Sequence, residues 1–267
     1  MGIVQDSLLG SYRLTDKDTF LDKYFVQSVC SLVGPVAVAR AGRAEAATSV
    51  DRKQVFSLIL PEVNHPATPQ ERPPFPHNDS SIMIRRGQLL CGPITKSIVG
   101  AAPGSLIHVI FNELGSDEVA RFINGVQRIT TFYLINFGFS VGVQDTVVDA
   151  DTLRQMNEVL VKTRENVEKI GAAASNRTLN RKAGMTLLQS FEADVNSALN
   201  KCREEAAKKA LSNVSRTNSF KVMIEAGSKG TDLNICQIAV FVGQQNVAGS
   251  RIPFGFRPSH TATLHVR

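Results

Sequence analysis

Residues 151–170 read DTLRQMNEVLVKTRENVEKI. Leu153, Met156, Leu160, Thr163, Val167 and Ile170 step by three and four along this stretch. That spacing places them on one face of an α-helix and leaves the charges on the other. Asp151 is a favourable N-cap for it. The polar, Gly- and Asn-containing residues 171–184 read as a loop. A second long helix is expected from Thr186, with Leu188, Phe191, Val195, Ala198 and Cys202 on one face. Two amphipathic helices with a short connection predict an antiparallel αα-hairpin. An apolar stripe of this kind is read as core, not as a ligand site.

Working back toward the N-terminus, residues 116–135 also carry a helical pattern, through Val119, Phe122, Ile123, Val126, Ile129 and Phe132. Asp117 and Glu118 suit its first turn. Gly138, Gly142 and Asp145 end it in a turn. The first half otherwise looks mixed. VFSLIL (55–60) and LIHVIF (106–111) are short apolar runs and are expected to be buried strands. SIMIRR and QLLCG flank Gly87 as a hairpin. The Ala-rich stretch before residue 50 has no clear period. Residues 61–80 contain six prolines and predict an exposed loop. Strands and helices in the first half and helices in the second make the fold class α+β.

The chain has 267 residues, 43% hydrophobic and 20% charged, enough to bury a core and too apolar for wholesale disorder. Thirty Lys and Arg against 24 Asp and Glu give a net charge of +6, which permits contact with nucleic acid or nucleotides without demanding it. With no Trp, any base-stacking platform would rest on the 14 Phe. No apolar run is long enough to span a membrane, and no membrane partner or secretory signal is expected. Cys30, Cys91, Cys202 and Cys236 are too widely spaced for a zinc knot and are expected to be buried thiols. The sequons starting at Asn78, Asn176 and Asn213 read as chance matches.

Motifs for enzymatic chemistry are missing. There is no H-E-x-x-H, Walker loop or G-x-S-x-G. His108, on an expected strand, reads as a hydrogen-bonded core residue. Asp149 and Asp151 read as the acids favoured at a helix start, not as a metal pair. The segment AGSKGTDLNICQIAVFVGQQNVAGSRIPFGF (226–256) is unusual. Glycines bracket Ser228 and Lys229, and Gly-rich backbone ahead of a helix can present N–H groups to phosphate.

GSKGTDLNICQ and VGQQNVAGSRIPFGF closely resemble the funnel region of the largest subunit of eukaryotic DNA-directed RNA polymerases, most like polymerase II. GIVQDSLLG (2–10), GQLLCG (87–92), GSLIH (104–108), GFSVGVQDT (138–146) and MTLLQSFE (185–192) extend the resemblance in order across residues 2–256. It implies a pore domain over 1–149 and a funnel domain over 150–267. Together these would line the secondary channel through which nucleoside triphosphates reach the active centre during transcription in the nucleus. The implied partners are other polymerase subunits, especially the second-largest, with the DNA template, RNA and a transcript-cleavage elongation factor. The family's three-Asp motif, which holds magnesium, is not present here. Mg2+ is therefore expected in the complete enzyme and not in this chain, which is expected to be inactive alone.

Residue by residue, the resemblance gives Lys229 a place in the nucleotide channel. It places Asn200, Arg203, Gln237, Gln245, Asn246 and Gly249 in the pocket that binds the peptide toxin α-amanitin. The chain departs from the family at Ala248, where an acid is usual, and at Ser250, where Lys is usual. Weaker toxin binding than by animal polymerase II is expected from both changes. The Trp that the family has before VFSLI is also missing. The C-terminus PSHTATLHVR back-translates so that skipping one base reads Arg-Arg-Thr-Leu-Pro-His-Phe-Thr-Ser, the family's continuation. A frameshifted tail at 258–267 is therefore expected. Two other readings are an interaction scaffold built on the hairpin and a stand-alone basic helical-hairpin module that binds nucleic acid, and the latter would need a phosphate track. Residues 150–232 carry 14 basic and 10 acidic residues, mixed along the helices, which does not supply one.

Overall fold

The structure is a computed structural model that describes residues 1–17, 20–34, 49–65 and 82–252. Most of the proline-rich segment, the Ala-rich stretch and the tail 258–267 lie outside the described residues. The chain divides into two compact units. The first is Met1–Ser140 with Val222–Lys229, and the second is Val141–Lys221 with the residues from Gly230 on.

In the first unit the organising element is α6 (Ser116–Phe137). Val119, Phe122, Val126 and Ile129 are buried along one face of it as the sequence predicts, whereas Ile123 and Phe132 are half-buried and Tyr133 takes the buried place expected for Phe132. Asp117 and Glu118 lie in its first turn, and it stops at Gly138 with φ +65°. Helix α1 (Gln5–Leu14) packs on it so closely that a Cβ on Gly10 would lie 2.8 Å from Thr130 Cβ. Helix α2 (Lys23–Val33) adds Phe25, whose ring centroid is 5.0 Å from that of Phe132. The Arg52 guanidinium lies over Tyr133 and Phe137 and donates to the Tyr133 hydroxyl at 2.9 Å. Burial pushes the Tyr133 hydroxyl pKa up, against the pull of Arg52 and Arg13.

Both expected apolar strands are helices. Residues 52–57 form α3 (Arg52–Ser57), and residues 106–114 form α5 (Leu106–Leu114), after the short α4 (Lys96–Val99). Short apolar runs buried on several sides do not distinguish strand from helix by period. The caps do. Asp51 accepts from the Lys53 N–H ahead of α3, and Ser105 accepts from the His108 N–H ahead of α5. Leu106, Ile107 and Ile110 are buried, while His108 turns to solvent and is not a core residue. Its Nδ1 accepts from the Gly104 N–H at 2.9 Å, which puts the neutral ring's proton on Nε2.

The sheets are small. β1 (Phe20–Asp22) pairs antiparallel with β2 (Ser49–Asp51). β3 (Met83–Arg85) and β4 (Gln88–Cys91) form the hairpin expected around Gly87. Arg86 and Gly87 both have positive φ, +47° and +70°, as a two-residue type I′ turn needs.

In the second unit α7 (Ala150–Ser175) and α8 (Leu187–Asn213) pack on each other, and α8 packs on α10 (Asp232–Ala239). Between α8 and α10 in the chain comes α9 (Ser219–Ala226), whose residues from Val222 on belong to the first unit. Asp149, not Asp151, is the N-cap of α7, and that helix runs on through Ser175, into the expected loop. Ala172, Ala173 and Ala174 favour that continuation. Thr186 caps α8 as expected, with Gln189 returning a bond to the Thr186 N–H.

The buried core is Met156, Val159, Cys202, Ala206, Ala207, Ala210, Cys236 and Phe241. The ends of the predicted stripes, Leu153 at 43% and Leu188 at 76% exposed, stand outside it. Small alanines let α8 approach its neighbours closely. All four cysteines are buried, and burial pushes the Cys202 and Cys236 thiols up in pKa. Asp145 closes the turn before α7. Its carboxylate accepts from the Gly142 and Ser219 N–H groups, which holds its pKa below the usual range.

Candidate functional site

The segment around Lys229 belongs to the first unit. Glu225 accepts from the Tyr12 hydroxyl at 2.7 Å, and Ala226, Val222 and Met223 cover Leu9 and Tyr12. The chain then turns through Gly227, φ +74°. A side chain could not sit there, because a Cβ would lie 2.7 Å from Lys96 Cβ. Ser228 bonds back to the Met223 carbonyl. Lys229 follows, exposed and flanked by Gly230 at φ +83°. The start of α10 is closed by its own residues: Asn234 Oδ1 accepts from the Thr231 N–H at 2.9 Å. The cation on the turn is thus the feature open to an anion, more than the backbone behind it.

The other predicted residues all lie in the second unit. Asn200 and Arg203 are on α8, Gln237 is on α10, and the rest are on or beside a final hairpin. In that hairpin β5 (Asn246–Val247) pairs with β6 (Ser250–Arg251). Ala248 and Gly249 make its turn with φ +51° and +84°.

Arg251 fastens the hairpin to α8. Its Nε donates to Glu192 Oε1 at 2.8 Å and its Nη2 to Oε2 at 2.7 Å, while the guanidinium stands 5.9 Å over the Phe191 ring. This hydrogen-bonded, half-buried pairing holds the Glu192 carboxyl below its ordinary pKa. A depressed carboxylate stabilises the fold above its unfolded pKa, and that contribution is lost as pH falls through the folded value. Wild type and Glu192→Gln should therefore differ in urea midpoint at pH 7, and the gap should begin to close as pH falls below about 4.3, the ordinary Glu value. A gap that persists undiminished to about pH 2.5 would contradict this.

Between α8 and the hairpin runs an open groove of about 890 Å³, lined by Glu192, Asn196, Asn200, Gly249 and Ser250 among others. Asn196 joins its walls. Its Oδ1 accepts from Asn246 Nδ2 at 3.0 Å and from Asn200 Nδ2 at 3.5 Å, and its Nδ2 donates to the Gly249 carbonyl at 3.4 Å. Three of the six predicted pocket residues thus meet at one residue that sequence reasoning missed.

The other three form a separate neighbourhood around residues 242–243. Gln237 and Gln245 both donate to the Val242 carbonyl, at 3.5 and 3.4 Å. The Arg203 stem packs on Gly243, where a Cβ would lie 3.3 Å from Arg203 Cδ. Asn200 Oδ1 and Arg203 Nε are buried without a hydrogen-bond partner among the described residues. The missed residues Glu192 and Asn196 had a signal: with the predicted Asn200 they recur every fourth residue, a polar stripe on the amphipathic helix.

Among the described residues no group of three or more His, Cys, Asp or Glu side chains is placed to hold a metal ion. Nor is any described helix long and apolar enough to cross a membrane. The second unit offers a polar groove, and the first unit carries the exposed cation Lys229 on its glycine turn.

Comparison with known proteins gives these features a context. Residues 1–146 match the family RNA polymerase Rpb1, domain 3, and residues 170–265 match RNA polymerase Rpb1, domain 4. Two curated relatives from Trypanosoma brucei brucei, DNA-directed RNA polymerase II subunits RPB1-A and RPB1-B, are each 86% identical over 257 residues. The match covers 96% of this chain and 15% of each relative, so the chain spans about one-seventh of their length. The two domain matches run in chain order, and the identity holds along nearly the whole chain. The chain belongs to the Rpb1 family, the largest subunits of RNA polymerase II.

Proposed function

We propose that the chain forms the pore and funnel of the largest subunit of a DNA-directed RNA polymerase and lines its secondary channel. The observation that carries this is the 86% identity over 257 residues to subunits of that name. In this reading residues 1–149 form the pore and 150–267 the funnel, with the α7–α8 pair as the funnel's helix hairpin. The working enzyme is a nuclear nucleotidyltransferase. Its partners are the other subunits, the second-largest above all, with DNA template, RNA, nucleoside triphosphates and a transcript-cleavage factor. The magnesium ions that nucleotidyl transfer needs would be held elsewhere in the assembled enzyme.

The charge pattern of α7 and α8 supports a channel wall over a stand-alone nucleic-acid binder. Arg154 and Arg164 face Asp151 and Glu168 on α7, at 3.7 and 3.8 Å, and Lys182 pairs with Asp194 at 2.7 Å. Cations paired in this way make a poor phosphate track. Lys229, exposed on its glycine turn, attracts triphosphates electrostatically. Asn200, Arg203, Gln237, Gln245, Asn246 and Gly249 form the toxin pocket, weakened by Ala248 and Ser250.

The test is Lys229→Ala in the complete enzyme. The KM for nucleoside triphosphates should rise roughly two- to fivefold at low salt, more than kcat falls, with the difference shrinking as salt screens the charge. A KM equal to wild type at low salt would remove Lys229 from the channel.

A further inference from the structure

We propose that Ser219 is a phosphorylation site for an arginine-directed serine/threonine kinase, and that its phosphate displaces Asp145 from the start of α9. Kinases of this class read an Arg three residues before the acceptor hydroxyl, in a segment they can draw out straight. Arg stands three residues before a Ser or Thr twice in the sequence, at Arg128–Thr131 and at Arg216–Ser219. Thr131 lies well inside α6 and cannot be drawn out without breaking that helix. Ser219 is the first residue of α9 and follows the exposed residues Ser215, Arg216 and Thr217. Helix α9 has only eight residues, a length that is marginal by itself, so its first turn opens at small cost. Ser212 has Lys209 at the same spacing but lies inside α8.

Asp145 is what holds Ser219 closed. Both belong to the second unit. One carboxylate oxygen of Asp145 accepts from the Ser219 N–H at 3.2 Å and the other from the Gly142 N–H at 2.9 Å, while Asn218 Nδ2 donates to the Asp145 carbonyl at 2.9 Å. In the transfer, Ser219 Oγ bonds to the γ-phosphorus of a nucleoside triphosphate. The bond from that phosphorus to its bridging oxygen breaks, the nucleoside diphosphate leaves, and the hydroxyl proton passes to a carboxylate base of the kinase. The new phosphate then faces the Asp145 carboxylate, and like charges repel. The phosphate is tethered and carries more charge, so it keeps the helix N-terminus and Asp145 leaves. Helix α9 survives the exchange, because Asn218 Oδ1 still accepts from the Phe220 and Lys221 N–H groups at 3.0 and 3.3 Å. The turn Gly142–Thr146, ahead of α7, loses its tie to α9.

The experiment treats the complete polymerase carrying this segment with an active calcium/calmodulin-dependent kinase of R-x-x-S specificity and labelled ATP. Phosphopeptides are mapped by mass spectrometry, and hydrogen exchange is followed before and after. The label should map to Ser219. Arg216→Ala, at an exposed position, should slow labelling by roughly 10–100-fold, the worth of a charge-assisted contact to the kinase. Asp145→Asn should speed it by roughly 2–10-fold, because one restraint on the closed turn is weakened. After labelling, amides 142–146 should exchange faster while those of α9 keep their protection. Label on Ser212, Ser215 or Thr217 in place of Ser219, or none in this segment, overturns the site. Labelling of Arg216→Ala at the wild-type rate overturns it as well. If Ser219 is labelled but amides 142–146 exchange as before, or Asp145→Asn is labelled no faster, the displacement of Asp145 is overturned.

Discussion

Replacing Phe122 by alanine should destabilise the first unit by about 3–5 kcal/mol, the range for truncating a buried aromatic side chain. Phe122 is 1% exposed at the centre of α6, and its ring meets Phe56 edge-on with centroids 6.4 Å apart. The loss has two parts: the transfer free energy of the ring and the cavity left among Val126, Ile129 and the α3 residues. One turn along α6, a Cβ on Gly125 would already lie 3.0 Å from Ile59 Cγ2, so the backbones are close and the site collapses poorly. Urea unfolding of wild type and Phe122→Ala should show a lower midpoint at unchanged slope. Phe111→Ala, 55% exposed on α5, is the control and should change stability by less than about 0.5 kcal/mol. Equal effects at the two positions would mean that α6 is not the core element.

The second large effect is expected at Gly87. Gly87→Val should cost about 2–5 kcal/mol from two independent sources. A β-branched residue at φ +70° carries about 1–2 kcal/mol of backbone strain. In addition, a Cβ would lie 2.6 Å from the Pro61 carbonyl oxygen, a backbone atom that cannot swing aside, and overpacking of this kind costs about 1–3 kcal/mol. The Gly87 N–H also donates to the Val63 carbonyl at 3.1 Å, so moving the turn would break a bond as well. Gly104→Ala separates the terms. Gly104 has φ +79° but nothing within 4 Å of its Cβ position, so only the strain remains. If both variants lose the same stability, the close approach to Pro61 contributes nothing.

The long elements were legible because period survives in long windows. The α6 pattern, the α7 and α8 stripes, the Thr186 start and the Gly87 hairpin are all recognisable in the residues. The errors came from short runs. VFSLIL and LIHVIF are six residues each, too few for period to decide, and the decisive signals were the capping Asp51 and Ser105 just ahead of them. The predicted pocket residues were legible only through resemblance, since nothing in their spacing points to a ligand. Even so, they fall into two neighbourhoods, one gathered by Asn196 and one by the Val242 carbonyl. An asparagine on a helix says nothing about a hairpin fifty residues later. Such contacts depend on tertiary closure that no local pattern encodes.

The first unit takes back Val222–Lys229 after the chain has already built much of the second. No single cut therefore yields two whole units. A polypeptide ending near residue 149 would lack Ala226, Val222 and Met223, leaving Leu9 and Tyr12 bare and Tyr12 without its Glu225 acceptor. Recombination during evolution meets the same obstacle. A crossover between residues 150 and 221 would graft a foreign strip onto the first unit's own core, so these two units are inherited more readily as a pair than as separate modules.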